Sequence, residues 1–372
     1  HVLGGNAQYA GMAGGGGFLW DRTTVILDRV RVIGNTGKGG TGTTERGSAV
    51  GGGIHAMRSS GSATISILNS IIADNSLEFG AGTGYAIFGA GGGIFIEGYP
   101  ANIIHTTFSG NQLSPEPEMF YGLAITIKSM ATPSDVNLSH SIVAHHLDNN
   151  PNGAQAALVA WSGNTFNLTR NLFAGNTLDT NINNTPPVTG GPGTFNGIAT
   201  TLYSSSAGFI SIGAPYYNYH IAYTSAGKDQ ATTSTTAVDF ELDNRPFGSV
   251  RDIGADEYYP FSLSVYPFRT AALYLDSRND AQGTYPQLTG VDHYEVIVTC
   301  PVGANPPDQG SCNTPILAGT EAHFVLTGLS LNVQYSVSVQ AKNSSGTTLA
   351  TSVQAVGTPI SMISVFLPLI NQ

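Results

Sequence analysis

Charge is scarce in this sequence, and positive charge above all. Charged residues make up 10% of the chain, and 14 Lys and Arg stand against 24 Asp and Glu, for a net charge of −10. Binding to nucleic acid needs clustered Lys and Arg to contact the phosphates, and so does binding to an anionic membrane surface. We therefore expect neither partner. Hydrophobic residues reach 41% of the chain, which is enough to form a core and is not typical of a disordered protein.

Long apolar runs, helical patterns and cysteines are also nearly absent. No run of about 18 apolar residues occurs, so the sequence predicts no membrane span. Apolar residues with a 3.6-residue period and capping residues are missing, which predicts almost no helix. Cys300 and Cys312 are the only cysteines. We expect them to form a disulfide in an oxidising compartment; two separate thiols are the alternative.

What the chain has in place of these features is glycine, 47 residues of it, much of which lies in a repeated unit. The clearest copy begins with GGGI at residues 91–94 and ends with FSGN at residues 108–111. Successive copies end 40, 36, 35 and 30 residues apart, the range typical of solenoid repeats. The last residues of the five copies are Asn35, Asn75, Asn111, His146 and Asn176.

Within each copy the apolar residues alternate with polar ones and are mostly β-branched, as at residues 63–67 and 125–127. This period of two, interrupted by Gly, Asn, Ser and Asp, predicts short strands. Short strands that recur every 30 to 40 residues without crossover helices predict an all-β fold, a right-handed parallel β-helix. In stacked coils the five terminal residues would form a ladder of side-chain hydrogen bonds. We expect that ladder to be structural, and ligand binding is the alternative.

Two motifs in this part of the chain carry a family resemblance. The pairing of GGGI at residues 91–94 with FSGN at 108–111, and FAGN at 173–176, resembles the repeats of bacterial polymorphic outer-membrane proteins and related β-helix surface proteins. Further on, DNRP at residues 243–246 and RDIGADEY at residues 251–258 resemble the close of bacterial choice-of-anchor β-helix domains. The resemblance covers residues 14–258. It implies an exported surface protein without catalytic residues to carry over.

The β-helix is expected to occupy residues 1–259, with less regular coils from residue 183 to the RDIGADEY motif. After Pro260 the periodicity changes, and residues 328–341 resemble part of a fibronectin type III domain. The resemblance implies that Leu329 and Tyr335 pack at a tyrosine corner. Residues 260–358 are therefore expected to form a β-sandwich of this type. The chain begins with His1 rather than Met, which indicates a processed or partial product.

The tail, residues 359–372, is apolar and uncharged. It is too short to span a bilayer, and an exposed strand of this kind would aggregate, so we expect it to be buried. Three alternatives are a last strand on its own domain, strand donation into a neighbouring molecule, and a sorting signal of exported bacterial proteins. The side chains that would mediate assembly are Ile360, Met362, Ile363, Val365, Phe366, Leu367, Leu369 and Ile370.

Carboxylates are concentrated near the end of the expected β-helix. Asp239, Glu241 and Asp243 alternate along the chain and would share one face of a strand. The carboxylate oxygens of such a face suit a hard cation, so calcium is the one cofactor that the sequence suggests. Asp252, Asp256 and Glu257 lie nearby in the sequence. The alternatives are that these carboxylates form a solvated acidic rim, or that Arg245 and Arg251 pair with them and close the last coil.

A group of tyrosines precedes the carboxylates. Tyr216, Tyr217 and Tyr219 lie close together, and their rings could stack on sugars. Packing in a core or at an edge is the commoner use of such residues. The sequence leaves both uses open.

Catalysis by a β-helix needs a carboxylate pair, or calcium ligands with a basic residue, on one face of adjacent coils. The positions that recur here are Gly, Asn, Ser and apolar residues, and no nucleophile elbow, phosphate loop or HExxH run occurs. The sequence therefore favours a secreted structural or adhesive surface protein that is not an enzyme. We expect head-to-tail self-association into a filament, through an open end of the β-helix or a donated C-terminal strand, or binding to surface glycans or other cell-surface proteins. The alternative is a polysaccharide-binding or polysaccharide-degrading protein.

Overall fold

The computed structural model describes most of residues 2–361. Apart from a 3₁₀ turn at Ile198–Thr200, the regular secondary structure of these residues is β-strand. The chain divides into two compact units, His1–Tyr258 and Tyr259–Gln372. The residues outside the description are 1, 4–6, 10–12, 15–18, 21–23, 46, 48, 59–61, 79, 82–88, 114–121, 130–131, 149–154, 185–187, 189, 215–216, 260–262, 268–269, 278–289, 320–322, 353 and 362–372.

The first unit is a parallel β-helix, as the repeats predict, and three sheets form its faces. Each strand pairs in parallel and in register with the equivalent strand of the next coil. The first face contains Leu19–Trp20, Ile54–Met57, Ile94–Glu97, Ile125–Lys128 and Leu158–Ala160. The second face contains Val25–Asp28, Ile65–Leu68, Ala101–Ile104, Asp135–Ser139, Thr165–Thr169 and Thr194–Asn196. The third face contains Arg31–Ile33, Ile71–Ala73, Thr107–Ser109, Ile142–Ala144, Leu172–Ala174 and Leu202–Ser204.

The early coils extend beyond these three faces before the chain returns to the first face. Their additional strands also pair in parallel with equivalents in neighbouring coils. A fourth sheet contains Val2–Leu3, Thr36–Lys38, Ser76–Glu78 and Gln112–Leu113. Two smaller sheets contain Ala13–Gly14, Ala49–Val50 and Gly89–Ala90, and Ala7–Tyr9 with Gly42–Glu45.

The glycine triplets lie where two segments of the chain are in close contact. A Cβ atom added to Gly52 would lie 3.0 Å from the backbone of Ser76, and one on Gly53 would lie 2.9 Å from Nδ2 of Asn75. In the next coil, a Cβ on Gly93 would lie 3.1 Å from Nδ2 of Asn111. Any side chain at Gly53 or Gly93 would therefore displace the Asn that ends the same unit. This close approach explains why GGGI and a terminal Asn recur together in the sequence.

In-register pairing stacks like side chains along the core. On the third face the inward side chains of Ile72, Phe108, Val143 and Phe173 follow one another from coil to coil, and all are buried. The second face alternates between buried and more exposed residues, whereas the strands of the third face are buried at every position from Ile71–Ala73 onwards to the fifth coil. The third face is therefore covered on its outside as well.

The chain itself supplies that cover. Coils were expected up to residue 258, but the solenoid ends with Leu202–Ser204, and we call residues 205–258 the cover segment. Its strands Phe209–Ser211 and Asn218–Ile221 pair with each other in antiparallel fashion. A Cβ on Gly254 would lie 2.6 Å from Cδ1 of Ile142, which shows how closely this segment packs on the third face. Strand sequences such as IIA and IVA are apolar at every position and need burial on both sides.

The second unit is an antiparallel β-sandwich. Leu273, Leu275 and Tyr335 are buried in its core, and the hydroxyl of Tyr335 accepts from the N–H of Ser330 at 2.8 Å and donates to the carbonyl of Asn305 at 2.9 Å. The predicted tyrosine corner is thus confirmed. One sheet contains Leu263–Pro267, Leu273–Ser277 and His323–Leu326. The other contains Ile316–Gly319, His293–Thr299, Tyr335–Lys342, Thr348–Thr351 and Ala355–Gly357.

Candidate functional site

The five residues of the predicted ladder form one column inside the first unit. Asn35 Nδ2 donates to Asn75 Oδ1 at 2.9 Å, and Asn75 Nδ2 donates to Asn111 Oδ1 at the same distance. Asn111 Nδ2 donates to His146 Nε2 at 3.3 Å. His146 Nδ1 donates to Asn176 Oδ1 at 3.0 Å. Every step runs in the same direction, so the column joins all five coils through their interior.

His146 can stand in this column because its neutral ring has one donor and one acceptor nitrogen, as an amide has one donor and one acceptor group. The ring is fully buried. Burial lowers the pKa of His146 to about 3, although the hydrogen bond to Asn176 opposes that shift. The ring therefore stays neutral at physiological pH. Adjacent His145 points away from the column and packs against the ring of Phe209, with centroids 5.7 Å apart.

A second amide column lies on the outside of the second face, and the sequence analysis missed it. Asn137 Nδ2 donates to Asn102 Oδ1 at 2.8 Å, Asn167 Nδ2 donates to Asn137 Oδ1 at 3.0 Å, and Asn196 Nδ2 donates to Asn167 Oδ1 at 2.9 Å. These residues recur with the spacing of the coils, which was the signal available. We call them the outer amide column. Unlike the inner ladder, it presents polar groups to solvent.

The outside of the first face holds a small charged group that links three coils. Glu97 accepts from His55 Nε2 at 3.3 Å and lies 3.7 Å from Lys128 Nζ. Lys128 Nζ lies 5.0 Å above the ring of Trp161. Glu97 and Lys128 occupy the same position in neighbouring strands, a pairing that only the register reveals. His55 and Glu97 are buried, so this group serves first to join neighbouring coils.

The carboxylates expected to share one strand face lie around a turn instead. Asp239 Oδ1 accepts from the backbone N–H groups of Glu241 and Asp243, at 2.8 and 2.9 Å. Asp239 Oδ2 accepts from the N–H of Glu257 at 3.0 Å. The carboxylate of Asp239 thus closes the turn, which is why no strand forms here. Calcium binding by these three residues stays a prediction.

Arg245 pairs with a carboxylate, as one alternative expected, but it does not close a coil. Its Nη1 donates to Glu257 Oε2 at 3.2 Å and to the carbonyl of Asp252 at 2.9 Å, and its Nη2 donates to the carbonyl of Gly254 at 2.8 Å. The N–H of Gly254 in turn donates to the carbonyl of His140 at 2.8 Å. The buried guanidinium therefore folds the RDIGADEY motif and holds it on the third face.

Burial dominates the electrostatics of this motif. It raises the pKa of Asp239, and the nearby carboxylate of Glu241 raises it further. Burial raises the pKa of Asp252 as well, with the carboxylate of Glu257 as the second cause. Arg251 donates to backbone, its Nε to the carbonyl of Thr236 at 2.6 Å, rather than to one of these side chains. Burial and the neighbouring carboxylates therefore both favour the protonated forms of Asp239 and Asp252.

The tyrosines attach the cover segment to the first coils. Tyr219 is 2% exposed, donates to Asp74 and lies edge-on to Phe209 at 5.5 Å between centroids. Arg31 Nη2 donates to the carbonyl of Tyr217 at 2.8 Å. The ring of Tyr219 is therefore packed and cannot stack on a sugar. Tyr216 lies outside the described residues, and a sugar contact through Tyr217 stays a prediction.

Among the predicted assembly residues, Ile360 is described and is 40% exposed. Met362, Ile363, Val365, Phe366, Leu367, Leu369 and Ile370 lie outside the described residues. Cys300 and Cys312 form the predicted disulfide. No helix in the described part of the chain is long and apolar enough to cross a membrane.

The last coil leaves polar strand edges and apolar side chains at one end of the β-helix. Thr194–Asn196 and Leu202–Ser204 each pair with one neighbouring strand among the described residues. Tyr203 is 57% exposed and lies over Phe173, and the two rings line a depression of about 380 Å³. No protein-family model matches the chain, and no curated protein shows significant similarity to it.

Proposed function

We propose that the protein is an extracellular structural or adhesive surface protein that associates head to tail through the ends of its β-helix. The observation that carries this proposal is the pairing of the end strands. Across the described residues, Val25–Asp28 and Thr194–Asn196 are the outermost strands of the second face, and Arg31–Ile33 and Leu202–Ser204 are those of the third. All four pair with a described strand on one side only. Strand edges of this kind are templates for pairing with another chain.

The two ends match in strand direction. Strands within each face are parallel and in register, so a second copy placed end to end could continue both sheets without reversing direction. Tyr203 places an exposed aromatic ring at the end formed by the last coil. A contact between two different surfaces of one molecule repeats without closing and gives a filament.

An extracellular location is supported by the disulfide, because such bonds persist in oxidising compartments. The resemblance of the GGGI and FxxN repeats to bacterial surface β-helix proteins, and of RDIGADEY to choice-of-anchor domains, supports display on a bacterial surface. A fibronectin-like sandwich fits the same setting, since many cell-surface domains share that architecture.

Placing a charge on the exposed end tests the proposal. Tyr203→Lys is expected to weaken self-association at least about tenfold, because a buried aromatic ring is a large part of an interface and a buried charge opposes it. Sedimentation velocity of the wild type over a range of concentrations should show mass that grows with concentration, and the variant should stay monomeric much further.

Val302→Lys is the matched control, since Val302 is a fully exposed apolar residue of the second unit. It should assemble as the wild type does. A wild type that sediments as a monomer at every concentration, or a Tyr203→Lys variant that assembles like Val302→Lys, contradicts assembly through this end.

The outer amide column favours a second candidate function, binding of an extended polysaccharide. Its exposed amides offer donors and acceptors at the strand spacing of about 4.8 Å. Binding of the wild type on a glycan array, lost when Asn137 and Asn167 are both replaced by alanine, is the expected result. An array without signal, or a double variant that binds as the wild type does, removes this candidate.

A further inference from the structure

The cover segment brings one histidine and two carboxylates together below its surface. His220 lies in strand Asn218–Ile221, Glu241 lies in the turn closed by Asp239, and Asp256 lies in the RDIGADEY motif. The ligand atoms of His220, Glu241 and Asp256 all lie within 4.8 Å of one another. The side chains of His220 and Glu241 are 3% and 8% exposed, and Asp256 is buried. Three separate parts of the segment thus converge on one point.

Hydrogen bonds on the far side of His220 fix which nitrogen faces that point. Asn218 Oδ1 accepts from the backbone N–H of His220 at 3.1 Å, which sets the orientation of the amide. The same oxygen lies 2.6 Å from His220 Nδ1, so Nδ1 carries a proton and donates it. Nε2 then lies 2.6 Å from Glu241 Oε1. Histidines that bind metals donate their second ring N–H to an oxygen in this way, and the lone pair of the other nitrogen is left for the ion.

Asp256 is held in place by the same strand. Its Oδ2 accepts from the backbone N–H of Ile221 at 2.8 Å, one residue beyond His220. The carboxylates of Glu241 and Asp256 therefore reach the vicinity of His220 from two different parts of the segment.

We propose that His220, Glu241 and Asp256 bind one divalent transition-metal ion, through Nε2 and one oxygen of each carboxylate. An imidazole with carboxylates is a ligand set for zinc and its neighbours, whereas calcium takes six to eight oxygen ligands. Ligands of a tetrahedral zinc ion lie about 3.3 Å apart, given bonds of about 2.0 Å. His220 and Glu241 need to separate by less than about 1 Å to reach that spacing. The ion would join strand, turn and motif, and so hold the cover segment together.

The test uses the full chain without a histidine tag, freed of metal by a chelator and dialysed. Titration calorimetry with Zn²⁺, and metal analysis after removal of unbound ion, should give one zinc per chain, and Ca²⁺ should not compete. Binding to the folded state alone should raise the melting temperature of the first unit by several degrees. His220→Ala and Glu241→Gln should each weaken zinc binding by at least about 100-fold, since changes beyond the ligands already cost 10- to 100-fold.

His293→Ala is the matched control. His293 also contacts two carboxylates, Asp292 at 3.0 Å and Glu295 at 3.9 Å, but it lies nearer the surface in the second unit. This variant should bind zinc as the wild type does. If His220→Ala fails to fold, as judged by circular dichroism, the zinc stoichiometry of the wild type and the zinc affinity of Glu241→Gln still test the proposal. A wild type that retains no zinc, or a Glu241→Gln variant with unchanged affinity, overturns the proposal and leaves His220 and Glu241 as an ion pair.

Discussion

Replacing Asn111 by alanine is expected to lower the free energy of unfolding of the first unit by about 3 to 5 kcal/mol. Asn111 is fully buried and accepts from both the backbone N–H and Nδ2 of Asn75, at 3.1 and 2.9 Å. It also donates to the carbonyl of Ile72 at 2.9 Å. The variant leaves these groups buried without their partner, and each such group costs about 1 to 3 kcal/mol.

Urea unfolding followed by tryptophan fluorescence measures this loss, because Trp20 and Trp161 are the only tryptophans and both belong to the first unit. Asn137→Ala is the matched control. Asn137 has the same amide-to-amide geometry, but in the outer amide column, where water can replace the lost partner. We expect Asn137→Ala to lower the free energy of unfolding by less than about 1 kcal/mol. Equal losses in the two variants would show that burial of the inner ladder is not what stabilises it.

Replacing His146 by asparagine is expected to make the first unit less sensitive to acid. The pKa of His146 is about 3 in the folded protein and about 6.5 in the unfolded chain, so the unfolded chain binds the proton first. The neutral ring therefore stabilises the fold fully above pH 6.5, and this contribution is lost as the pH falls from there towards 3. By linkage the loss attributable to His146 reaches about 3 kcal/mol at pH 4. Asparagine provides the same donor and acceptor groups without a titration.

The free energy of unfolding of both proteins should be measured at pH 7 and pH 4. Other groups with shifted pKa values, such as His140 and Asp252, are present in both proteins, so their effects cancel in the comparison. The wild type should lose about 3 kcal/mol more than His146→Asn over this interval. An identical pH dependence would mean that His146 accepts a proton inside the column, and would contradict its role there.

The inner ladder and the glycine triplets of the second and third coils could be predicted together because one steric contact links them. A Gly at position 53 or 93 is needed because the terminal Asn of the same unit passes beside it. The fourth and fifth coils keep the ladder but have Ala124 and Ala157 at the equivalent position, so the glycine pattern weakens there. The alternation of apolar residues also predicted the strands, because each strand of the second face has one side in the core and the other in solvent.

The cover segment could not be predicted in this way because nothing in it repeats. Its contacts join single residues to different coils, such as Tyr219 to Asp74 and Gly254 to His140. One signal did point to it. Strands of the third face such as Ile71–Ala73 are apolar at every position, and a coil with one side in solvent would alternate. A β-helix that repeats this run needs a cover from elsewhere in the chain.

For a related reason, the sequence could not predict that His220, Glu241 and Asp256 converge. Expecting a strand at residues 239–243 placed Glu241 beside Asp239 and Asp243, whereas the turn closed by Asp239 directs it to His220. Such a turn depends on a side chain bonding to its own neighbouring backbone. The outer amide column, by contrast, could have been found, because Asn102, Asn137 and Asn167 recur with the period of the coils.

Head-to-tail assembly can be tested by negative-stain electron microscopy of the full chain, of Tyr203→Lys and of a version truncated after Thr358. We expect filaments of the wild type and of the truncated chain, and dispersed particles of Tyr203→Lys. Filaments that vanish only on truncation would assign assembly to the donated tail instead of the open end of the β-helix. Dispersed particles in all three samples would contradict assembly altogether and leave a monomeric surface protein, with the outer amide column as its remaining binding surface.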